Sequence, residues 1–271
     1  MGELICGETL EELKKLDSDF IDLSVTSPPY NKKVGANKGW LVKEVKYKNY
    51  NDKVKESIYQ QNQIEVLNEV FRVTKPGGSF FYNHKLRWEK GIMFHPLDWL
   101  RRTNWLVRQE IIWNRKMAGN IRGWRFWNID ERVYWLYKPV GKKTVGAELK
   151  SKHALLTSIW EIMPERNNPH PAPFPIDLPT RIIHSFLDEE SGIVLDPYCG
   201  SGTTMLSANL LGKDFLGIDI CQEYLDLTNE RLKNPPNTDI ARFEKEMSLH
   251  KVEKTFKQRK EEGLWNKKKN I

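Results

Sequence analysis

The sequence of 271 residues predicts an α/β fold in which a mostly parallel sheet is flanked by helices. Near both ends of the chain, short apolar strands alternate with segments of helical periodicity. This alternation is typical of parallel sheets, because helical crossovers join their strands. The apolar fraction of 39% is ordinary for a soluble protein with a proper core. The length suits one large α/β domain, or one domain with an insertion.

The amino-terminal half begins with a predicted short helix at residues 8–16 and a buried strand at residues 20–26. The strand stops at Ser27-Pro28-Pro29, because proline donates no hydrogen bond to a sheet. Residues 31–55 are polar and rich in lysine, which predicts a loop. The remaining predicted elements of this half are a helix at 57–73 and strands at 79–83, 105–113 and 131–138.

The carboxyl-terminal half opens with residues 139–169, which show no periodicity, and residues 170–179, whose four prolines predict a largely extended segment. Beyond Pro235 the chain is highly charged and helix-prone, without a convincing buried face. We therefore expect one domain over residues 1–234 and a basic tail over residues 235–271. The predicted elements between are helices at 180–188, 203–211 and 221–232 and strands at 193–196 and 215–218.

The composition narrows the possible partners. A formal charge of +7 favours a polyanion, with nucleic acid first, although a merely basic cytosolic protein has the same balance. The three cysteines, Cys6, Cys199 and Cys221, lie far apart and form no metal-binding or disulfide pattern, which fits a reducing cytoplasm. No apolar run approaches the roughly 20 residues of a membrane span, and glutamates interrupt any signal-peptide pattern. We therefore expect a cytoplasmic protein without a metal or a membrane partner.

The first motif is a glycine turn at residues 194–204, where an apolar strand runs into a helix. Gly200 and Gly202 allow the backbone to approach a ligand closely, and the helix offers free N–H groups at its amino terminus. Asp219 ends the next strand, where a carboxylate can accept both hydroxyls of a ribose. The pattern predicts a nucleoside site, although an ordinary glycine-containing turn is the alternative.

Two commoner phosphate-binding turns do not match this segment. A P-loop needs lysine after the second glycine, where Thr203 stands, and the dinucleotide fingerprint needs a third glycine, where Met205 stands. The pattern therefore favours a nucleoside ligand without a pyrophosphate, and S-adenosylmethionine is such a ligand.

The second motif is Ser27-Pro28-Pro29-Tyr30, directly after a buried strand. The prolines stiffen the backbone, so that Ser27 and the carbonyl of Pro28 can both accept hydrogen bonds from an exocyclic amino group. Tyr30 offers a flat face on which a flipped base can stack. The alternative is a proline turn that ends the strand, with Tyr30 half-buried.

Together the two motifs resemble those of the amino-methyltransferases of bacterial restriction–modification systems. TSPPY resembles their catalytic motif and DPYCGSGTT their cofactor motif, in the order of the permuted subgroup called the beta class. ICGETLEEL is similar to the family's opening segment, RVTKPGGSFFYNHK to the strand beside the catalytic pocket, and HPAPFPIDLP to the segment that closes the cofactor site. The resemblance runs from about residue 3 to residue 232.

This resemblance implies a Rossmann-like methyltransferase fold with S-adenosylmethionine as cofactor and double-stranded DNA as substrate. The target base is flipped out, and its amino nitrogen attacks the methyl group without a covalent enzyme intermediate, so no cysteine nucleophile is expected. Ser27, where adenine modifiers typically carry Asp, favours cytosine N4 as the target, with adenine N6 as the alternative. A catalytically inactive DNA-binding subunit of the same fold is the alternative of a different class. A homodimer and a cognate restriction endonuclease are the implied protein partners, and the nucleoid is the implied location.

The resemblance also assigns residues to the cofactor site. Asp219 is expected to bind the ribose hydroxyls and Phe174 to pack on the cofactor, while Glu8 stands where the family usually has Asp. The full set of expected cofactor residues is Glu8, Phe174, Asp196, Tyr198, Gly200, Ser201, Gly202, Thr203 and Asp219.

DNA contacts are expected from two segments, residues 31–55 and 114–169. The first carries a run of lysines that can neutralise phosphates, and the second mixes arginines, glycines and aromatics in a way that suits the major groove. A solvated charge run is the alternative for the lysines of the first segment. His84 and His170 are expected to have hydrogen-bonding or packing roles. The candidate DNA-binding residues are Lys32, Lys33, Arg115, Lys116, Arg122 and Arg125.

Overall fold

The computed structural model describes residues 2–31, 53–118, 123–141, 157–165, 168, 170, 173–187, 191–249 and 256–263. Its strands are β1 (Gly2–Cys6), β2 (Ile21–Thr26), β3 (Thr74–His84), β4 (Arg87–Glu89), β5 (Ile92–Phe94), β6 (Leu106–Asn114), β7 (Asp130–Tyr137), β8 (Ile159–Glu161), β9 (Ile193–Asp196) and β10 (Asp214–Asp219). Its helices are α1 (Thr9–Lys15), α2 (Glu56–Val73), α3 (Leu97–Leu100), α4 (Asp177–Leu187), α5 (Thr203–Leu210), α6 (Gln222–Lys233), α7 (Asn237–Leu249) and α8 (Phe256–Glu261).

The main sheet in the described part of the chain has eight strands in the order β1-β10-β9-β2-β3-β7-β6-β8. The five strands from β1 to β3 in this order are parallel. Strands β7 and β6 then form an antiparallel pair, and β8 runs parallel to β6 at the edge. The predicted mostly parallel sheet is therefore confirmed, with an antiparallel hairpin at one side.

Helices cover both faces of this sheet. Along β3, Phe80 and Tyr82 pack into the hydrophobic cluster that contains the buried row of α2, whereas Phe81 packs into the cluster that contains α4 and α5. Successive residues of a strand point to opposite faces, so these clusters are the two cores on either side of the sheet. The arrangement leaves the carboxyl ends of the parallel strands uncovered for a ligand.

Several predicted boundaries agree with the structure, and one segment does not. The predicted helices at 8–16, 57–73, 203–211 and 221–232 correspond to α1, α2, α5 and α6. The expectation that residues 170–179 are extended is wrong at its end, because α4 begins at Asp177. Pro179 is tolerated there, since the first N–H groups of a helix have no partner within it.

Five described elements were not predicted, namely β1, β4, β5, α3 and β8. Four of them have only three or four residues, which is too short for a periodic pattern. Residues 32–52 of the predicted loop, and residues 142–156 of the predicted recognition segment, lie outside the described residues. In the described part of the chain, no helix has the length and apolarity that a membrane crossing needs.

Helix α7, within the predicted tail, packs against the rest of the fold through ion pairs. Arg231 of α6 donates to Asp239 at 2.5 Å, and Arg181 of α4 donates to Glu246 at 2.7 Å. Both carboxylates are buried, whereas the apolar residues of this helix are covered only in part. The sequence predicted no convincing buried face for this part of the chain. A hydropathy pattern does not reveal these contacts, because the buried residues of α7 that make them are acidic.

Candidate active site

A cavity of about 450 Å³ lies at the carboxyl ends of the parallel strands. Residues of both sequence motifs line it, including Ser27 and Tyr30 from the end of β2 and Gly200 and Asp219 from the glycine turn and the end of β10. The structure therefore brings together two motifs that the sequence separates by most of the chain. This is the edge at which parallel α/β sheets bind ligands.

The motifs meet because β2 and β9 are neighbours in the sheet, with Ser24 beside Leu195. Thr26, the last residue of β2, donates from Oγ1 to Oδ1 of Asp196 at 2.6 Å. The other carboxylate oxygen of Asp196 accepts from Thr204 Oγ1 at 2.7 Å. Burial raises the pKa of the Asp196 carboxyl to about 6. Asp196 thus ties the motifs together from beneath the cavity and does not line it, and its expected cofactor contact stays a prediction.

The glycine turn is held against the next strand by Asp219. Its carboxylate accepts from the backbone N–H groups of Gly200 and Cys221, each at 2.9 Å, and burial raises its pKa. Gly200 has a φ of +51°, and a Cβ there would lie 3.0 Å from Nε2 of His170, which also lines the cavity. The turn therefore requires glycine for its backbone angle and for its close neighbour.

The rest of the glycine turn faces away from the cavity. Gly202, at a φ of +72°, packs so closely on Thr228 that a Cβ would lie 2.2 Å from its Cγ2. Arg231 donates to the Ser201 carbonyl at 2.6 Å and to Oγ1 of Thr203 at 3.2 Å. Ser201, Gly202 and Thr203 do not line the cavity, and their expected contact with the cofactor stays a prediction.

The remaining expected cofactor residues, Glu8, Phe174 and Tyr198, do line the cavity. Glu8 also accepts from the N–H of Glu11 at 3.0 Å and so caps the amino terminus of α1. The carboxylates of Glu8 and Asp219 at this part of the cavity repel a phosphate but suit hydroxyl groups or a positive charge. These two acceptor groups therefore fit a cationic nucleoside rather than a nucleotide.

The tetrapeptide Ser27–Tyr30 is fixed by side-chain hydrogen bonds. Ser27 Oγ lies 2.6 Å from the Tyr30 hydroxyl, which donates to Oε2 of Glu131 at 3.0 Å. Tyr59 donates to the carbonyl of Pro29 at 2.8 Å and contacts Nε2 of His84 at 2.7 Å. These contacts make the proline segment rigid and orient its two hydroxyl groups.

Tyr30 is more buried than we expect for a ring on which a flipped base can stack. It is only 6% exposed, and its ring centroid lies 4.5 Å from that of His84. His84 is fully buried between Tyr59 and the Lys85 carbonyl, and His170 packs edge-on against Tyr224. Both histidines therefore have the hydrogen-bonding or packing contacts expected from the sequence.

Three polar residues that were not among the expected site residues complete the catalytic end of the cavity: Asn83, Lys85 and Glu131. Asn83 donates from Nδ2 to the Tyr30 hydroxyl at 2.9 Å and to Glu131 at 3.1 Å. Lys85 pairs with Glu131 at 2.9 Å. Asn83 and Lys85 lie at the carboxyl end of β3, which is the neighbour of β2 in the sheet. Polar residues at the carboxyl end of a parallel strand are a sequence signal for a functional site. Glu131 is the second residue of the antiparallel strand β7, and its sequence context carries no comparable signal.

The arginines expected to read DNA are engaged within the protein. Arg115 is largely buried, pairs with Glu131 at 3.5 Å and donates to the Asn128 carbonyl at 3.3 Å. Arg125 lies over the ring of Trp88 and donates to Oδ1 of Asn128 at 2.6 Å. Both guanidinium groups therefore have partners within the protein, and their expected contact with DNA stays a prediction. Lys116 is half-exposed and pairs with Glu161, whereas Lys32, Lys33 and Arg122 lie outside the described residues.

The described part of the connection between β6 and β7 exposes three aromatic side chains. Trp124 and Trp127 are each more than half exposed, and Phe126 is 97% exposed. The segment is anchored beside the cavity, because the backbone N–H of Arg115 donates to the Ile129 carbonyl at 2.8 Å. Phe126 is three residues from this anchor, a span of roughly 10 Å at most.

The sequence model of a family described as DNA methylase, which covers N6 and N4 enzymes, matches residues 21–230. The chain is similar to the type II methyltransferase M.HpaI of Haemophilus parainfluenzae, at 28% identity over 86% of this chain and 75% of the relative. It is also similar to the DNA adenine methyltransferase YhdJ of Escherichia coli K12, at 27% identity over 93% of this chain and 87% of the relative.

Two solved structures share the fold. The PvuII DNA methyltransferase, described as cytosine-N4-specific, superposes with a TM-score of 0.67 at 20% identity, covering 91% of this chain and 93% of that one. The putative DNA modification methylase TTHA0409 of Thermus thermophilus, solved with S-adenosylmethionine, has a TM-score of 0.63 at 24% identity. That match covers 86% of this chain and 93% of that one.

Proposed function

Because the chain belongs to the DNA methylase family of N6 and N4 enzymes, we propose that it methylates the exocyclic N4 amino group of a flipped-out cytosine in duplex DNA. The observation that carries this proposal is the position of Ser27. Its hydroxyl lies at the junction of the cavity with the rigid proline segment and within the hydrogen-bond network of Tyr30 and Glu131.

S-adenosylmethionine is the proposed cofactor and supplies a methyl group activated by its sulfonium charge. The Asp219 carboxylate accepts two backbone hydrogen bonds, and a carboxylate has about four acceptor positions, so capacity remains for the ribose hydroxyls. Phe174 and Tyr198 supply apolar walls for a nucleoside base. The solved neighbour from Thermus thermophilus holds the same cofactor, which supports this assignment.

The target base has to leave the duplex, since its amino group is otherwise paired. In the cavity, Ser27 Oγ would accept a hydrogen bond from one amino proton, which orients the nitrogen for transfer. When the nitrogen gains a methyl group it has to release one proton. Ser27 Oγ can take that proton while its own hydroxyl proton passes to Tyr30, whose proton passes to Glu131.

The choice of cytosine over adenine rests on Ser27, a neutral acceptor at the position where adenine-modifying relatives typically carry Asp. The similarity to a DNA adenine methyltransferase favours adenine N6 as the second candidate. Both candidates present an amino group to the same hydroxyl, so the described residues of the cavity suit either base.

For the DNA surface, we propose that the exposed Trp124, Phe126 and Trp127 contact bases near the flipped nucleotide, since aromatic faces stack on unpaired bases. Phosphate contacts are assigned to the half-exposed Lys116 and to Lys32, Lys33 and Arg122, which lie outside the described residues. A homodimer, a cognate restriction endonuclease and a cytoplasmic, nucleoid-associated location stay proposals drawn from the resemblance. The division into a domain at residues 1–234 and a tail at 235–271 also stays a proposal.

Modification-detecting sequencing of DNA from cells that express the protein tests the reaction. The host should lack modification enzymes of its own, and a strain expressing Ser27→Ala serves as the control. The proposal predicts N4-methylcytosine within one short sequence, lost in the control strain. Cofactor binding measured by calorimetry without DNA tests the alternative of an inactive DNA-binding subunit, which predicts no binding.

A further inference from the structure

We propose that Glu131 sets the hydrogen-bond direction of the catalytic pocket, so that the pocket accepts bases with an amino group and rejects bases with a carbonyl there. Glu131 is a positioning residue that acts on the base through Tyr30 and Ser27. The inference rests on the proposed function only in taking a flipped DNA base as the occupant. It applies equally to cytosine and to adenine.

The first observation is the setting of Glu131. The residue is 5% exposed, and its Oε1 faces two cations, the Lys85 ammonium at 2.9 Å and the Arg115 guanidinium at 3.5 Å. Its Oε2 receives hydrogen bonds from Tyr30 at 3.0 Å and from Asn83 at 3.1 Å. The two cations stabilise the negative charge, and an ionised carboxylate accepts hydrogen bonds but donates none.

The second observation is that this chain of contacts has one consistent direction. A phenol has one proton, and that of Tyr30 is committed to Glu131. Tyr30 is therefore the acceptor in its 2.6 Å contact with Ser27, and Ser27 is the donor. The single hydroxyl proton of Ser27 is then directed at Tyr30, and Asn83 Nδ2 donates to Ser27 Oγ at 3.4 Å. Ser27 Oγ therefore has one remaining lone pair to offer to a base in the cavity.

A pocket polarised in this way discriminates between bases. Cytosine and adenine offer an N–H donor at the exocyclic position, which an acceptor at Ser27 pairs with. Thymine, uracil and hypoxanthine offer a carbonyl oxygen instead, which meets a second acceptor and loses its hydrogen bond to water. Sites built for one hydrogen-bonding group reject the analogue that cannot pair.

Replacing Glu131 by glutamine should reverse this direction. The two cations are donors, so the carbonyl oxygen of the introduced amide would turn toward Lys85 and Arg115 and its nitrogen toward Tyr30 and Asn83. The Asn83 amide, which donates to this side of Glu131, would rotate so that its Oδ1 accepts from the introduced nitrogen. Tyr30 would then accept from the amide and donate to Ser27. Ser27 in turn would point its proton into the cavity, where it suits a carbonyl and opposes an amino group.

The test is a competition binding assay with the full-length protein and the demethylated cofactor, which prevents turnover. Duplexes carry the site found by sequencing, with cytosine or uracil at the target position opposite an abasic site. The abasic partner removes any difference in the cost of unpairing the two bases. For an adenine target, hypoxanthine replaces uracil.

The wild-type protein should prefer cytosine over uracil by roughly tenfold or more, and Glu131→Gln should prefer uracil. Glu131→Asp keeps an acceptor-only group and should keep the cytosine preference, while Tyr30→Phe breaks the chain and should bring the two affinities within about threefold. An unchanged cytosine preference in Glu131→Gln or in Tyr30→Phe would overturn the proposal.

The controls separate this inference from the proposed function. Cofactor binding and circular dichroism establish that each variant is folded, and Tyr30→Phe decides the matter if Glu131→Gln does not fold. If no DNA is methylated by the wild-type protein, the proposed function fails. If DNA is methylated but discrimination does not depend on Glu131 and Tyr30, only the present inference fails.

Discussion

Thr26 and Asp196 lie 170 residues apart in the sequence and are joined by a buried hydrogen bond of 2.6 Å. Thr26 is the first residue of the catalytic motif, and Asp196 is the first acidic residue of the cofactor motif. The bond therefore fixes the distance between the two halves of the site. Because Thr204 and the Tyr198 N–H donate to the same carboxylate, Asp196 also positions the glycine turn and the helix that follows it.

The titration of Asp196 should make stability depend on pH. Burial raises its pKa from 3.8 to about 6, so the folded state binds this proton more tightly than the unfolded state. Its contribution to the free energy of unfolding is full below about pH 4 and is lost as the pH rises through 6. Asparagine does not titrate, so the stability of Asp196→Asn relative to wild type should rise by roughly 2–3 kcal/mol between pH 4 and 7.

Urea unfolding of both proteins at several pH values measures this difference. The substitution also alters the hydrogen bonds to Thr26 and Thr204, which changes the free energy of unfolding by the same amount at every pH. The titration of Asp196 is therefore measured by how the difference between the two proteins changes with pH. Parallel pH profiles for the two proteins would show that Asp196 does not titrate as described.

Two glycines with similar backbone angles should respond differently to alanine. Gly202 and Gly212 have φ values of +72° and +68°, so alanine is strained at both, by roughly 1–2 kcal/mol. A Cβ at Gly202 would also meet Thr228 at 2.2 Å, whereas one at Gly212 would meet nothing within 4 Å. Thermal unfolding should show a clearly larger loss for Gly202→Ala, and equal losses would contradict the close packing.

Truncation distinguishes a docked helix from a tail. Removing the chain after Asn234 deletes α7 and leaves Arg231 and Arg181 without Asp239 and Glu246. Breaking a buried ion pair costs roughly 3–5 kcal/mol, so the free energy of unfolding should fall by at least that amount. Removing the chain after Leu249 keeps both pairs and should leave the stability nearly unchanged. Equal stability of the two truncated proteins would indicate that α7 belongs to a separate tail.

Two serines that the sequence placed in the site should differ in their effect on catalysis. Ser27 lines the cavity, whereas Ser201 lies behind the glycine turn. Ser27→Ala should lower kcat by roughly 100-fold with cofactor affinity retained, because it removes the acceptor for the amino group. Ser201→Ala should stay within about threefold of wild type. Steady-state kinetics with tritiated cofactor provide the measurement, and a larger effect at Ser201 than at Ser27 would reverse this assignment.

The sequence predicted the fold class and the two motifs because both depend on local patterns. Apolar strands followed by Gly200 or by Pro28 are visible in a short window of sequence, and their alternation with helices indicates a parallel sheet. A local pattern does not show which residues of a motif face the cavity. Gly202 and Ser201 match the motif as well as Gly200 does, but the direction of the turn places them against α6.

Glu131 could not be found by the same reasoning. It lies 101 residues from Tyr30 and is the second residue of an antiparallel strand that no motif marks. Its importance comes from the sheet order, which sets β7 beside β3 and so brings its carboxylate to Asn83 and Lys85. A buried acid contacting several distant residues is a tertiary property, and one sequence contains no periodicity that reports it. The same holds for Asp239 and Glu246 of α7.

The most direct test of the central claim is the identity of the methylated nucleoside. Unmethylated duplex DNA is incubated with the purified protein and S-adenosylmethionine carrying a labelled methyl group, then digested and separated by chromatography with mass detection. We predict label in N4-methyldeoxycytidine, at least about 100-fold less with Ser27→Ala. Label in N6-methyldeoxyadenosine would contradict the assignment to cytosine, and the absence of labelled nucleoside would contradict the proposed reaction itself.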